Sequence, residues 1–256
     1  MTKLERRHAR FDGLNLTWEA LEGVVKHNGP LTGADAVKTE PLPAAICEYA
    51  KTHDLWLGSF ASLEAQVAAI ADDIAYNNHD VDDGLRAGLF SFDAARELPL
   101  VGAAISRVEK AFPQAPRDIV IAEAVSDLIG AMVGDVVAET RARLDDLKPK
   151  NADAIRHAGR QIADFSPGMK AQLSGLRAFL HENVYRHYKV NRARSQARRV
   201  VRALFDVFVS EPETLPPGWR AADAALPRSV CDYIAGMTDR YAMREHERLF
   251  SGAPLI

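Results

Sequence analysis

Apolar positions recur at helical spacing along most of this chain, and no run alternates apolar and polar residues between hairpin turn signals. Between Ser62 and Gly84, Leu63, Val67, Ile70 and Ile74 are spaced four, three and four apart, which draws one apolar stripe on a helix. Asp72, Tyr76 and Asp80, also four apart, fall roughly opposite that stripe. At ~100° per residue they form a slowly drifting column. Ala65, Ala68, Ala69, Ala71 and Ala75 fill the remaining positions and permit close approach of other elements. The pattern fits the wall of a polar pocket and equally a solvated helix face.

The same spacing predicts further helices. One runs from Trp18 to about Lys26, capped by Thr17 and stopped by His27-Asn28-Gly29-Pro30. Others run from about Ala44 to Lys51, and through Leu100, Ala103, Ala104 and Val108 to a stop before Pro113. Arg117 to Leu147 carries Ile121, Val125, Leu128, Met132 and Val136 on one stripe; its length and period outweigh its β-branched content. Pro167 suits the first turn of a helix bearing Leu173, Leu176, Leu180 and Val184. Ala197, Val201, Leu204 and Phe208 mark another, and a final helix is expected from Ser229 through Cys231, Ile234, Met237 and Tyr241. Gly84 is expected to interrupt its helix, with a brief continuation from Leu85 to Phe90. Met1 to Asn15 is charged and poor in apolar residues, Leu31 to Pro43 reads as a loop, and Pro212, Pro216 and Pro217 mark another. The expected architecture is all-α, one helical unit over residues 1–256.

Composition narrows the function classes. With 256 residues, 47% of them hydrophobic and 26% charged, the chain can bury a sizeable core. A net charge of −3 gives no global attraction to nucleic acid or anionic lipid. No apolar run reaches the ~18 residues of a membrane span, and the N-terminus lacks a signal-peptide core, so a cytoplasmic location is expected. Cys47 and Cys231, far apart in sequence, read as reduced, buried thiols.

Four features could carry chemistry. Asp72 offers an oxygen donor suited to a hard divalent cation, although one carboxylate does not make a site. Asp80, Asp82 and Asp83 beside His79 point in different directions on a helix, as at a solvated helix end. Arg177, His181 and Tyr185, four apart, combine a phosphate-matching fork, a proton donor and a stacking ring beside an apolar stripe. Arg186 to Arg202 holds Arg186, Lys189, Arg192, Arg194, Arg198, Arg199 and Arg202, which reads as a solvated face, a subunit contact or a nucleic-acid contact.

Leu63-Glu64-Ala65-Gln66-Val67, Ala71-Asp72-Asp73-Ile74-Ala75-Tyr76 and His79-Asp80-Val81-Asp82-Asp83-Gly84 resemble the deoxyguanosine triphosphate triphosphohydrolase-like (dGTPase-like) family of the HD superfamily. Phe11 to Pro30, Phe179 to His187 and Asp232 to Ala242 agree with it in family order. The resemblance implies an HD-domain-like helical fold, with residues 1–90 the remainder of a metal-dependent phosphohydrolase domain and 91–256 a phosphohydrolase-associated region. It implies hydrolysis of a deoxynucleoside triphosphate to deoxynucleoside and triphosphate by water activated on a divalent metal, Mg or Mn. Carried over, Asp72 would be a metal ligand, Tyr76 a substrate contact and Asp80 an acceptor for the sugar 3′-hydroxyl. Arg177 would face phosphate and Tyr185 sugar or base, with His181 beside them. A homo-oligomer is implied as well. The family's N-terminal His and His-Asp metal motifs have no counterpart here, so the chain resembles the C-terminal portion of the enzyme and is expected to be inert alone, with helices absent that would pack on the Asp72 face, Trp18 and Leu21. The alternative is a non-catalytic helical subunit or remnant that binds nucleotide or a complete paralogue.

Overall fold

The structure, a computed structural model, describes residues 1–2, 5, 8–36, 41–221 and 225–251. Parts of the expected opening stretch and of the loop before Pro43 lie outside the described residues. Every regular element among the described residues is helical, as the periodicity predicts: α1 (Trp18–Lys26), α2 (Ala44–Ala50), α3 (Leu63–Arg86), α4 (Phe92–Arg96), α5 (Pro99–Ala111), α6 (Arg117–Leu147), α7 (Ala152–Arg156), α8 (Pro167–Leu180), α9 (Tyr188–Ser210), α10 (Leu226–Ala235) and α11 (Asp239–Phe250), with short 3₁₀ turns at Pro212–Thr214 and Pro217–Trp219. No described helix is long and apolar enough to cross a membrane.

The caps are local chemistry. Thr17, Ser62 and Ser166 each accept a hydrogen bond from a backbone N–H in the first turn of α1, α3 and α8. Pro167 opens α8, where its missing N–H costs nothing. Two expected boundaries are corrected. Gly84 does not break α3, which runs on to Arg86. A Cβ there would lie 2.2 Å from the Phe90 ring, so the glycine is a seat for that ring rather than a stop. Phe90 in turn meets Phe179 of α8 edge-on, with centroids 5.0 Å apart. The expected single C-terminal helix is two, α10 starting at Leu226 and α11 at Asp239, with Thr238 capping the second.

The chain divides into two compact units, Met1–Val184 and Tyr185–Ile256. These are units of packing, whereas the expected 1–90 and 91–256 regions are what the resemblance implies. In the first, α6 packs on both α3 and α5, and α8 lies against α3 and α5. Their shared core holds Ile70, Ile74, Val81, Val101, Ile105, Leu128, Met132, Leu173 and Leu176. In the second, α10 and α11 pack on α9 around Leu204, Phe208, Leu215, Leu226 and Val230. Both cysteines are exposed, not buried as expected; Cys47 sits on the short helix α2, of which no residue is buried.

The buried face of α3 differs from the predicted stripe. Val67 is exposed, and its place is taken by polar residues: Gln66, Asn77 and Asn78 are buried with Ile70, Ile74 and Val81. Gln66 is the clearest case. Its Nε2 donates to the Ala61 carbonyl (2.9 Å), and its Oε1 accepts from Ile162 N (2.7 Å) and Ala163 N (3.0 Å). One side chain thus satisfies the strand-less segment 161–165 that runs beneath the site described next.

A second buried polar cluster ties α1 to α7. Arg156 donates through Nε and Nη2 to the two oxygens of Glu22, both at 2.9 Å. Lys26 Nζ meets Glu22 at 3.1 Å and donates to Trp56 O and Ser59 Oγ, each at 2.9 Å. Burial lowers the Lys26 pKa against the opposing pull of Glu22, while the hydrogen bonds to Glu22 raise that of Arg156. The Arg156 guanidinium stacks 5.1 Å from the Trp18 ring, and Trp56 occupies the left-handed backbone region (φ 52°) with its carbonyl held by Lys26. Leu21 is buried and Trp18 half-buried within this chain, against the expectation that both await other helices.

Candidate functional site

Beside the Asp72 face of α3 lies a polar pocket of about 590 Å³. The end of α1 supplies His27 and Asn28, α3 supplies Asp72, Asp73 and Tyr76, segment 161–165 supplies Gln161, Asp164 and Phe165, and α8 supplies Lys170, Ser174 and Arg177. The 3.6-residue period sets Asp72 and Tyr76 on one side of α3 and Lys170, Ser174 and Arg177 on one side of α8.

Four of the pocket's charges are balanced in two pairs. Arg177 forms an ion pair with Asp73, the neighbour of the carboxylate singled out by sequence, and its Nε reaches Asn77 Oδ1 at 3.4 Å. Lys170 pairs with Asp164, which also accepts from Arg143 at 3.0 Å. Arg177, Lys170 and Asp73 remain about half exposed, so solvent or an anion reaches them. Asp72 is exposed and has no ion-pair partner among the described residues. His27 Nδ1 lies 3.2 Å from Gly23 O and 3.1 Å from Val24 O, oxygens that only accept. The neutral ring therefore carries its hydrogen on Nδ1 and leaves Nε2 as an acceptor, 3.0 Å from Asn28 Nδ2.

Of the six residues the resemblance implies, the structure brings Asp72, Tyr76 and Arg177 to this pocket. Asp80 lies two turns further along α3, half-buried, and does not line it. His181 is exposed, and with Tyr185 it occupies a π-helical stretch, His181–Tyr185, that follows α8. The wider i→i+5 turn changes the phase at which side chains leave the axis, so Arg177, His181 and Tyr185 do not continue as one α-helical column. Tyr185 opens the second unit. Sequence reasoning assigned no role to His27, Asn28, Asp73 or Lys170. The spacing of Lys170 from Arg177, seven residues and so two turns on one helix, is the signal that could have paired those two. Asp82 is engaged by Arg86 at 2.8 Å, as suits a solvated helix end.

A divalent metal needs several hard donors around one point. Among the described residues no three His, Cys, Asp or Glu side chains converge on such a point, so the residues present do not by themselves fit one.

With this geometry in hand, comparison with known proteins is decisive for ancestry. Residues 162–248 match the family model of the phosphohydrolase-associated domain. A deoxyguanosinetriphosphate triphosphohydrolase-like protein of Parvibaculum lavamentivorans is 52% identical over 255 residues, 98% of this chain. The chain is a homologue of deoxyguanosinetriphosphate triphosphohydrolase-like proteins. A second such protein, from Mesorhizobium japonicum, is 48% identical over 99% of the chain, and a third, from Caulobacter sp. strain K31, is 49% identical over 98%. The chain spans 64% of the length of each of these dGTPase-like relatives. The relatives found carry the family name expected from the motifs of α3, and the phosphohydrolase-associated match covers α8, α9 and α10 and most of α11.

Proposed function

We propose that this chain supplies the substrate side, the pocket on α3 and α8, of a dGTPase-like phosphohydrolase that converts a deoxynucleoside triphosphate to deoxynucleoside and triphosphate. The observation that carries this is the meeting of Asp72 and Tyr76 with Lys170 and Arg177 around one pocket. Phosphate oxygens exchange into the ion pairs of Arg177 and Lys170, the planar guanidinium offering a bidentate fork and the ammonium a point charge. Tyr76, 58% exposed, presents its ring to sugar or base. Asp80, further along α3, belongs to the same reading as an acceptor for the sugar 3′-hydroxyl. Asp72 contributes one carboxylate toward a divalent cation, and among the described residues no three His, Cys, Asp or Glu side chains converge there to complete a site.

The test is equilibrium binding of dGTP and the other deoxynucleoside triphosphates to the 256-residue chain. Arg177→Ala is expected to weaken binding about ten- to hundredfold, the worth of one charge-assisted contact. Unchanged affinity would overturn the phosphate role. The second reading, a non-catalytic nucleotide-binding subunit, rests on the same donor set and parts from the first at triphosphate release. With added Mn²⁺ the chain alone is expected to bind without turnover, and robust release from dGTP would exclude the second reading.

A further inference from the structure

The solvent face of α6 has features that nothing among the described residues explains. Gly130 and Gly134 sit in mid-helix, where each costs about 1 kcal/mol relative to alanine. Both have ordinary negative φ, and a Cβ added to either would meet nothing within 4 Å, so no contact among the described residues requires them. They lie almost opposite the fully buried Met132. Large apolar side chains flank them in the open: Ile119 at 47%, Val133 at 46% and Val137 at 42% exposure.

Charge at the two ends of this face completes the pattern. Glu123 and Arg141 are eighteen residues apart, about five full turns, and therefore lie on the same line as the glycines. Both are exposed, and neither has an ion-pair partner among the described residues. Asp127, which would intervene, is already held by Arg107 of α5 at 2.6 Å. Read in either direction, the line Glu123, Gly130, Gly134, Arg141 has the same spacing, with opposite charges at its ends.

We infer that α6 is a self-association surface, on which a second copy of this chain packs its own α6 antiparallel about a two-fold axis beside the glycine pair. Gly130 of one copy then faces Gly134 of the other, and the missing side chains let the helices approach to about 8 Å or less. Each Glu123 faces the other copy's Arg141, and the apolar flanks of the two helices meet on one side of the seam. The contact is isologous, so it closes at two copies. The homo-oligomer expected from the family resemblance named no surface; this one is specified by residues.

Sedimentation equilibrium of the full chain at micromolar concentration tests it. The wild type is expected to dimerise. Gly134→Leu, a substitution that favours the helix, is expected to leave the fold intact by circular dichroism and give a monomer. Glu123→Arg and Arg141→Glu should each weaken the dimer about tenfold, and the double swap should restore it to within a few-fold of wild type. A monomeric wild type, or a dimer unmoved by Gly134→Leu, overturns the proposal. Single charge reversals that weaken the dimer without recovery in the double swap overturn the antiparallel register.

Discussion

Glu22→Gln is expected to cost the fold about 3–5 kcal/mol, the range found when one partner of a buried ion pair is removed. Glu22 and Lys26 are fully buried, and Arg156 is 7% exposed. Glutamine keeps the size of the side chain but removes the buried anion that faces both cations. Lys26 retains neutral acceptors at Trp56 O and Ser59 Oγ, and Arg156 retains Asp153 at 2.8 Å on the more exposed side, so neither charge is left without a hydrogen bond. What is lost is the charge balance in a low-dielectric site, where attraction is strongest and solvation absent. Chemical denaturation measures it: a midpoint shift at constant slope gives the loss, and a loss under about 1 kcal/mol would mean that water reaches the cluster. Lys26 adds a pH dependence of definite sign. Its pKa in the folded state lies below that of the unfolded chain, because burial penalises the ammonium. Between those two values the folded protein binds fewer protons, so stability rises with pH across that window. Wild type should therefore gain on Lys26→Met as alkaline pH climbs toward the ordinary lysine range, measured by parallel denaturation series.

That cluster also shows where sequence reading ends. The helices α1, α3, α6 and α8 were legible because their signals are local: an apolar period of 3.6, a capping Thr17 or Ser62, a Pro167 in the first turn. The family was legible because the motifs of α3 are contiguous. Glu22 and Arg156 are 134 residues apart, and no periodicity connects them. Gln66, Asn77 and Asn78 are polar, so periodicity assigned them to solvent, yet each is buried with a hydrogen-bond partner from the backbone. Gly84 is ambiguous by nature: alone it reads as a helix breaker, and only the Phe90 ring against it reveals a packing role. At the candidate site the same limit applies. Asp72, Tyr76 and Arg177 carry chemistry visible in their side chains, whereas His27 and Asn28 looked like a helix stop and acquire a second role only through what the fold sets across from them.

Gln66→Leu is expected to cost about 2–5 kcal/mol and to loosen the site from beneath. The substitution conserves approximate volume but removes the acceptor of two buried backbone donors, Ile162 N and Ala163 N, and the donor to Ala61 O. An unmet buried N–H costs about 1–3 kcal/mol, and two are created at once. The segment cannot turn both amides to water without lifting from α3, since Ile162 and Ala163 are fully buried. The same segment carries Gln161, Asp164 and Phe165 into the pocket, and Asp164 is the partner of Lys170. The effect should therefore be local as well as global. Hydrogen exchange at Ile162 and Ala163 should accelerate far more than at the core of α6, and dGTP affinity should fall although Gln66 is not itself a pocket residue. Uniform acceleration across the first unit would mean that Gln66 supports overall stability without specially fastening this segment. Preserved protection at both amides would show that another group, or water, already satisfies them.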